Sequence, residues 1–128
     1  MNDLLTPLFL VCTQPYVNDP LKCDVGSLDS GLLSDIEADS YWCLSKLLDN
    51  IQDHYTFSQP GLQRMILRLE DLVNRLDSEL HQHFVDEGIQ YMQFSFRWMN
   101  CILLRELPLK SIMRLWDTYF AEEEGNNN

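Results

Sequence analysis

Apolar residues recur along this chain at steps of three and four, and no stretch sustains the strict alternation of a half-buried strand. The pattern predicts six helices. Asn2 or Asp3 is placed to cap the first, which carries Leu4, Leu5, Leu8, Phe9, Leu10, Val11 and Cys12, admits Pro7 in its opening turns, and stops at Gln14-Pro15. Residues 16–34 hold turn formers and acids and read as a long surface loop. The second helix is expected to begin near Ser34 or Asp35, with early acids suited to the helix dipole. Its apolar face is Ile36, Tyr41 or Trp42, Leu44 or Ser45, Leu48 and Ile51. Residues 54–59 follow as a connection.

Pro60 and Gly61 open the third helix, whose stripe is Leu62, Met65, Ile66, Leu69, Leu72, Val73 and Leu76. On its other side Asp71 is spaced to pair with Arg68 or Arg75. Asp77 or Ser78 caps a short fourth helix, and Glu87-Gly88 ends it. A fifth, apolar on nearly every face, is expected from about Ile89 to Arg105. Leu107-Pro108 breaks it, and the sixth buries Ile112, Leu115, Trp116, Tyr119 and Phe120. One folded unit over residues 1–122 and a disordered tail of acids and asparagines over 123–128 complete the expected organisation. Trp42, Trp98 and Trp116, one on each of three helices, are expected to share an aromatic core.

Composition narrows the function classes. A net charge of −11 argues against a nucleic-acid or anionic-membrane surface. The excess acid is confined to the first half and the tail, because residues 62–114 balance seven basic side chains against seven acidic ones. No run approaches the roughly 20 apolar residues of a membrane span, and an opening with Asp3 and no basic n-region is unlike a secretory signal. Cys12, Cys23, Cys43 and Cys101 form no C-x-x-C pair, so buried, reduced thiols are expected rather than a zinc knuckle or a disulfide framework.

The candidate chemistry is sparse. His81 and His83 sit two residues apart and point to different sides of a helix, so no metal site is expected, and no cofactor or phosphate loop is visible. Arg97 and Arg105 are the exceptions, since a charge on the most apolar helix needs a partner or a route to solvent. Eight residues apart, they would share one face and line a groove for a partner. The competing reading pairs each with a carboxylate, Glu106 or Asp117, or lets it snorkel outward to solvent.

Four motifs carry a resemblance. Met1-Asn2-Asp3-Leu4-Leu5-Thr6-Pro7 looks like the helix start that follows Tyr-x-Gln-Gly in TBC domains, the helical modules that accelerate GTP hydrolysis on Rab GTPases. Asp35-Ile-Glu-Ala-Asp-Ser-Tyr-Trp-Cys-Leu44 resembles that family's acidic-aromatic helix. Residues 94–98 match its Ser-Phe-x-Trp segment, and Arg114-Leu-Trp-Asp117 its closing Arg-Leu-Trp-Asp. The likeness is greatest to the member 22 type branch of the TBC1 family. It implies an all-α fold, the C-terminal helical part of a Rab-GAP domain, a Rab-type small GTPase as partner, and a role in vesicle trafficking in the cytoplasm or at the Golgi. Such domains work with an arginine of Ile-x-x-Asp-x-x-Arg and the glutamine of Tyr-x-Gln-Gly. Neither motif occurs in these residues, so no catalytic residue is carried over and no acceleration by this chain alone is expected. Asn2 and Asp3, next to the place of the missing glutamine, join Arg97 and Arg105 as candidate partner-binding residues. Helices apolar on several sides also raise the expectation of self-association through an exposed core.

Overall fold

A computed structural model describes residues 2–123, with the side chains of Asn2, Glu122 and Glu123 outside it; the expected tail falls almost wholly beyond the described residues. Among the described residues there are six α-helices and no strand: α1 (Asn2–Thr13), α2 (Ser30–Ile51), α3 (Pro60–Leu76), α4 (Ser78–Asp86), α5 (Tyr91–Asn100) and α6 (Leu109–Glu123). The fold is all-α, as the periodicity implies. Contacts divide it into two units, one formed by α1, α2 and α6, the other by the segment Ile51–Glu106 with α3, α4 and α5.

In the first unit α1 packs against α6. Leu4 and Pro7 of α1 are buried, as are Ile112 and Trp116 of α6, and the Trp116 ring meets Phe120 edge to face at 6.3 Å. Thr13 ends α1 with its hydroxyl turned back onto the Phe9 carbonyl at 2.7 Å. α2 begins four residues before the expected Ser34. The cause is Asp29, whose carboxylate accepts from the backbone N–H groups of Gly31 (2.9 Å) and Leu32 (3.3 Å) and so caps the helix from within the presumed loop. The expected face of α2 is also corrected. Ile36, Ser40 and Leu47 are buried, whereas Tyr41 and Trp42 stack edge to face in solvent at 63% and 66% exposure. Ser40 tolerates burial because its hydroxyl is satisfied by the Ile36 carbonyl at 2.6 Å. With Trp42 outside, the three tryptophans do not form the shared core that their spacing suggested.

In the second unit α3 is the organising helix, packed against both α4 and α5. Its stripe is only half covered. Leu62 and Ile66 are buried, Leu69 and Val73 partly so, while Met65, Leu72 and Leu76 remain exposed. Asp71 pairs with Arg75 at 3.7 Å. Asp77 caps α4 by accepting from the Leu80 N–H at 3.0 Å, and Gly88 leaves the helix with φ 68°, the conformation glycine adopts without steric cost. From α4 to α5 the rings of His81, Tyr91, Phe84, Phe94 and Trp98 form a continuous aromatic series with centroids 5.3–6.0 Å apart. Tyr91 anchors it, buried, with its hydroxyl 3.1 Å from Nδ1 of His81.

Close approach fixes the start of α3. A Cβ at Gly61 would stand 2.5 Å from Cδ2 of buried His54 and 2.5 Å from Cγ of Asp53, which is itself ion-paired with Arg64. Gly61→Ala is therefore expected to cost about 1–3 kcal/mol as these held side chains are displaced. A thermal melt followed by circular dichroism checks this; an unchanged or raised Tm would show that the contact yields freely.

Candidate functional site

α5 begins where the Gln93 side chain accepts from the Gln90 N–H at 3.2 Å, and it ends at Asn100 rather than at Arg105. The early stop has a specific cause. Ile102 and Leu103 take left-handed backbone angles, φ 49° and 59°, and the Leu103 N–H turns back to the Trp98 carbonyl at 2.8 Å. This is the closing bond that a glycine or asparagine ordinarily supplies at a helix end. Helix propensity alone gave no reason to expect it at an Ile-Leu pair. Residues 101–106 then form a run of turns.

The stop separates the two candidate arginines. Arg97 lies in the last turn of α5, where a cation suits the helix dipole. Arg105 lies beyond the helix, exposed, in the turn segment. They do not share a helical face, which corrects the expected groove. Arg97 instead grips Glu106, its Nε donating to Oε1 at 2.6 Å and its second guanidinium nitrogen to Oε2 at 3.1 Å. Glu106 was one of the two carboxylates open to this role. The hydrogen bond from Arg97 holds the Glu106 carboxyl below the usual carboxylate range, and the same bond raises the Arg97 guanidinium. This two-point grip closes the turn that follows α5. The remaining candidates, Asn2 and Asp3, open α1 in the other unit; Asp3 is half-buried, and the Asn2 side chain lies outside the described residues.

Sequence reasoning missed a second set of residues. Tyr55, just past a 3-10 turn at Gln52–His54, donates its hydroxyl to the Asn100 carbonyl at 2.7 Å. That carbonyl is among those a helix leaves without an internal partner at its C-terminus. Next to it His54 is 4% exposed, and its Nδ1 has no partner among the described residues; the same holds for Oδ1 of Asn100. Burial lowers the His54 pKa, Asp53 raising it in opposition and Arg64 adding to the lowering. No signal in the sequence distinguishes His54 from a surface histidine.

The other candidate chemistry does not assemble. Cys12, Cys23 and Cys101 are half-buried and Cys43 is exposed, so the expected buried thiols are more accessible than the apolar context suggested. Burial nevertheless pushes the Cys43 thiol up, with the neighbouring Cys12 adding to it. Among the described residues no three His, Cys, Asp or Glu side chains cluster as a metal site, and no helix is long and apolar enough to cross a membrane.

Among the described residues, Arg64 and Arg97 are each engaged by a carboxylate beside a turn. The sequence matches the Rab-GTPase-TBC domain family over residues 1–127, and the chain belongs to that family. It is similar to human TBC1 domain family member 22B, with 53% identity over 126 residues, 98% of this chain and 25% of that protein. It is also similar to the GTPase-activating protein gyp1 of Schizosaccharomyces pombe, with 50% identity over 124 residues, 95% of this chain and 24% of that protein. The crystal structure of the Ypt/Rab-GAP domain of Gyp1p superposes with a TM-score of 0.85 at 39% identity, covering 95% of this chain and 40% of that one. The chain thus spans about a quarter of the length of the curated relatives it matches.

Burial of His54 is expected to make the fold acid-sensitive. With a folded pKa below the ordinary value of 6.5, the unfolded chain takes up the proton first as pH falls. The stability this group contributes is present above about pH 6.5 and is lost as pH falls toward the lowered folded pKa. His54→Asn is expected to flatten the dependence of Tm on pH over this range. An unaltered slope would mean that His54 does not contribute to it.

Proposed function

We propose that these residues form the C-terminal helical part of a Rab-GAP domain and contribute to the recognition of a Rab-type small GTPase in vesicle trafficking, in the cytoplasm or at the Golgi. The observation that carries this reading is the family match across residues 1–127, joined to a fold that agrees with a solved Ypt/Rab-GAP domain at a TM-score of 0.85. The relatives' names as GTPase-activating proteins support a regulator of a GTPase rather than an enzyme acting on a small molecule. Asn2, Asp3, Arg97 and Arg105 remain the proposed contacts, Arg97 with the further task of fixing the turn through Glu106.

Within the proposal the chain binds without accelerating hydrolysis. Neither Ile-x-x-Asp-x-x-Arg nor Tyr-x-Gln-Gly is present in its sequence. An arginine finger must reach the transferring phosphate with its guanidinium available, and Arg97 is already engaged by both oxygens of Glu106. A finger is worth about 10³–10⁵ in rate, so its presence or absence is easily read. Single-turnover GTP hydrolysis on a panel of purified Rabs is expected to proceed at the intrinsic rate with saturating chain. Acceleration on any member of the panel would overturn the non-catalytic reading.

A further inference from the structure

Two of the four cysteines meet. Cys12 lies in the last turn of α1 and Cys43 in the second half of α2, both within the first unit, and the Cys43 thiol stands within hydrogen-bonding reach of the Cys12 thiol. Helix geometry supports the placement. Ile36, Ser40 and Leu47 form the buried row of α2, and Cys43 follows Ser40 by three residues and precedes Leu47 by four, so it belongs to the same row. On α1 the residue after Cys12 is buried Thr13, pinned by its hydroxyl to the Phe9 carbonyl at 2.7 Å. That bond fixes the end of α1, and with it the backbone that carries Cys12.

Access to the pair is uneven. Cys43 is exposed and Cys12 half-buried, so a small reagent in solution reaches Cys43 and finds Cys12 beside it. The other two thiols are placed differently: Cys23 lies in the loop before α2, and Cys101 just past α5 in the second unit. An isolated exposed thiol attacked by a peroxide goes on to sulfinic and sulfonic acids, whereas one with a second thiol in contact is captured as a disulfide. Holding the two on neighbouring helices makes that capture an intramolecular step.

We propose that Cys12 and Cys43 are a modification site, a dithiol that hydrogen peroxide oxidises to a disulfide bridging α1 and α2. The Cys43 thiolate attacks the peroxide and the O–O bond breaks. Hydroxide leaves, taking up the proton that the thiol gave up, and Cys43 becomes a sulfenic acid. The Cys12 sulfur then attacks the Cys43 sulfur, and the Cys12 thiol proton departs with the sulfenic hydroxyl as a second water. The two thiols together lose two electrons, and one peroxide accepts them. Burial, then the Cys12 neighbour and Asp39, push the Cys43 thiol up. Because the thiolate is the attacking form, oxidation is slow near neutral pH and quickens as pH rises. The raised pKa also makes Cys43 a poor leaving group, so the bridge resists exchange with monothiols. Once formed, it closes residues 12–43 into a loop and constrains the unfolded chain. The site is independent of the GTPase reading given above.

The test treats the full 128-residue chain with hydrogen peroxide in the absence of denaturant, alkylates the remaining thiols and maps them by mass spectrometry, for the parent and Cys12→Ser. The parent is expected to lose two of its four alkylatable thiols, to stay monomeric with the peptides of Cys12 and Cys43 joined, and to regain both thiols with dithiothreitol. Its Tm is expected to rise by about 5 °C or more on oxidation and to fall back on reduction. In Cys12→Ser, Cys43 is expected to stop unbridged as a sulfenic acid that dimedone traps. Bridging that appears only in urea, a disulfide between chains, or joined peptides that pair Cys43 with Cys23 or Cys101 would each overturn the proposal. So would a parent Cys43 that proceeds to sulfinic acid while Cys12 stays alkylatable. A bridged chain with a lowered Tm overturns it too, because the two sulfurs would then have been pulled from their native places to meet.

Discussion

One hydrogen bond, from the Tyr55 hydroxyl to the Asn100 carbonyl, spans 45 residues and ties the loop before α3 to the end of α5. α5 ends without a glycine, so its closure relies on an Ile-Leu pair bent into a conformation that neither residue favours. Three interactions keep the closure in place: Leu103 N–H to the Trp98 carbonyl, the two-point Arg97 grip on Glu106, and Tyr55 on Asn100. The last also fixes the loop that carries Phe57, where Ser58 and Gln59 have positive φ as well. Remove it, and both strained turns lose their common support.

The charge pattern follows the same logic. Arg64 and Arg97 are each exposed yet each committed to a carboxylate, Asp53 and Glu106, at the two ends of that arrangement. At the surface such pairs contribute little to overall stability. Their value here is geometric, because both stand beside backbone that would otherwise relax. Arg64 and Arg97 thus help to shape the turns beside them.

Much of this was legible in the sequence, for identifiable reasons. Pro60-Gly61, Asp77 and Gly88 are strong local punctuation, and the boundaries of α3 and α4 fall where they stand. The start of α2 was not legible because Asp29 sits among turn formers and its capping role appears only once the helix is built. The end of α5 was hidden because an αL closure at Ile102 and Leu103 has no propensity signature. That error placed Arg97 and Arg105 on one face. The Glu106 partner of Arg97 was among the readable alternatives, since nine residues across a helix end is within reach of both side chains. In the sequence Tyr55 and Phe57 lie in a short connection between helices. An exposed phenylalanine and a bridging tyrosine look alike until the long-range bond is seen.

Native-state amide hydrogen exchange on Tyr55→Phe tests the dependence most directly. The substitution removes one hydroxyl and leaves the ring, so any response reports the bond to Asn100. The Gln59 and Leu103 amides are expected to exchange together several-fold faster while the amides in the middle of α3 keep their protection. Unchanged exchange at both would contradict it, showing that each turn holds its conformation without the other.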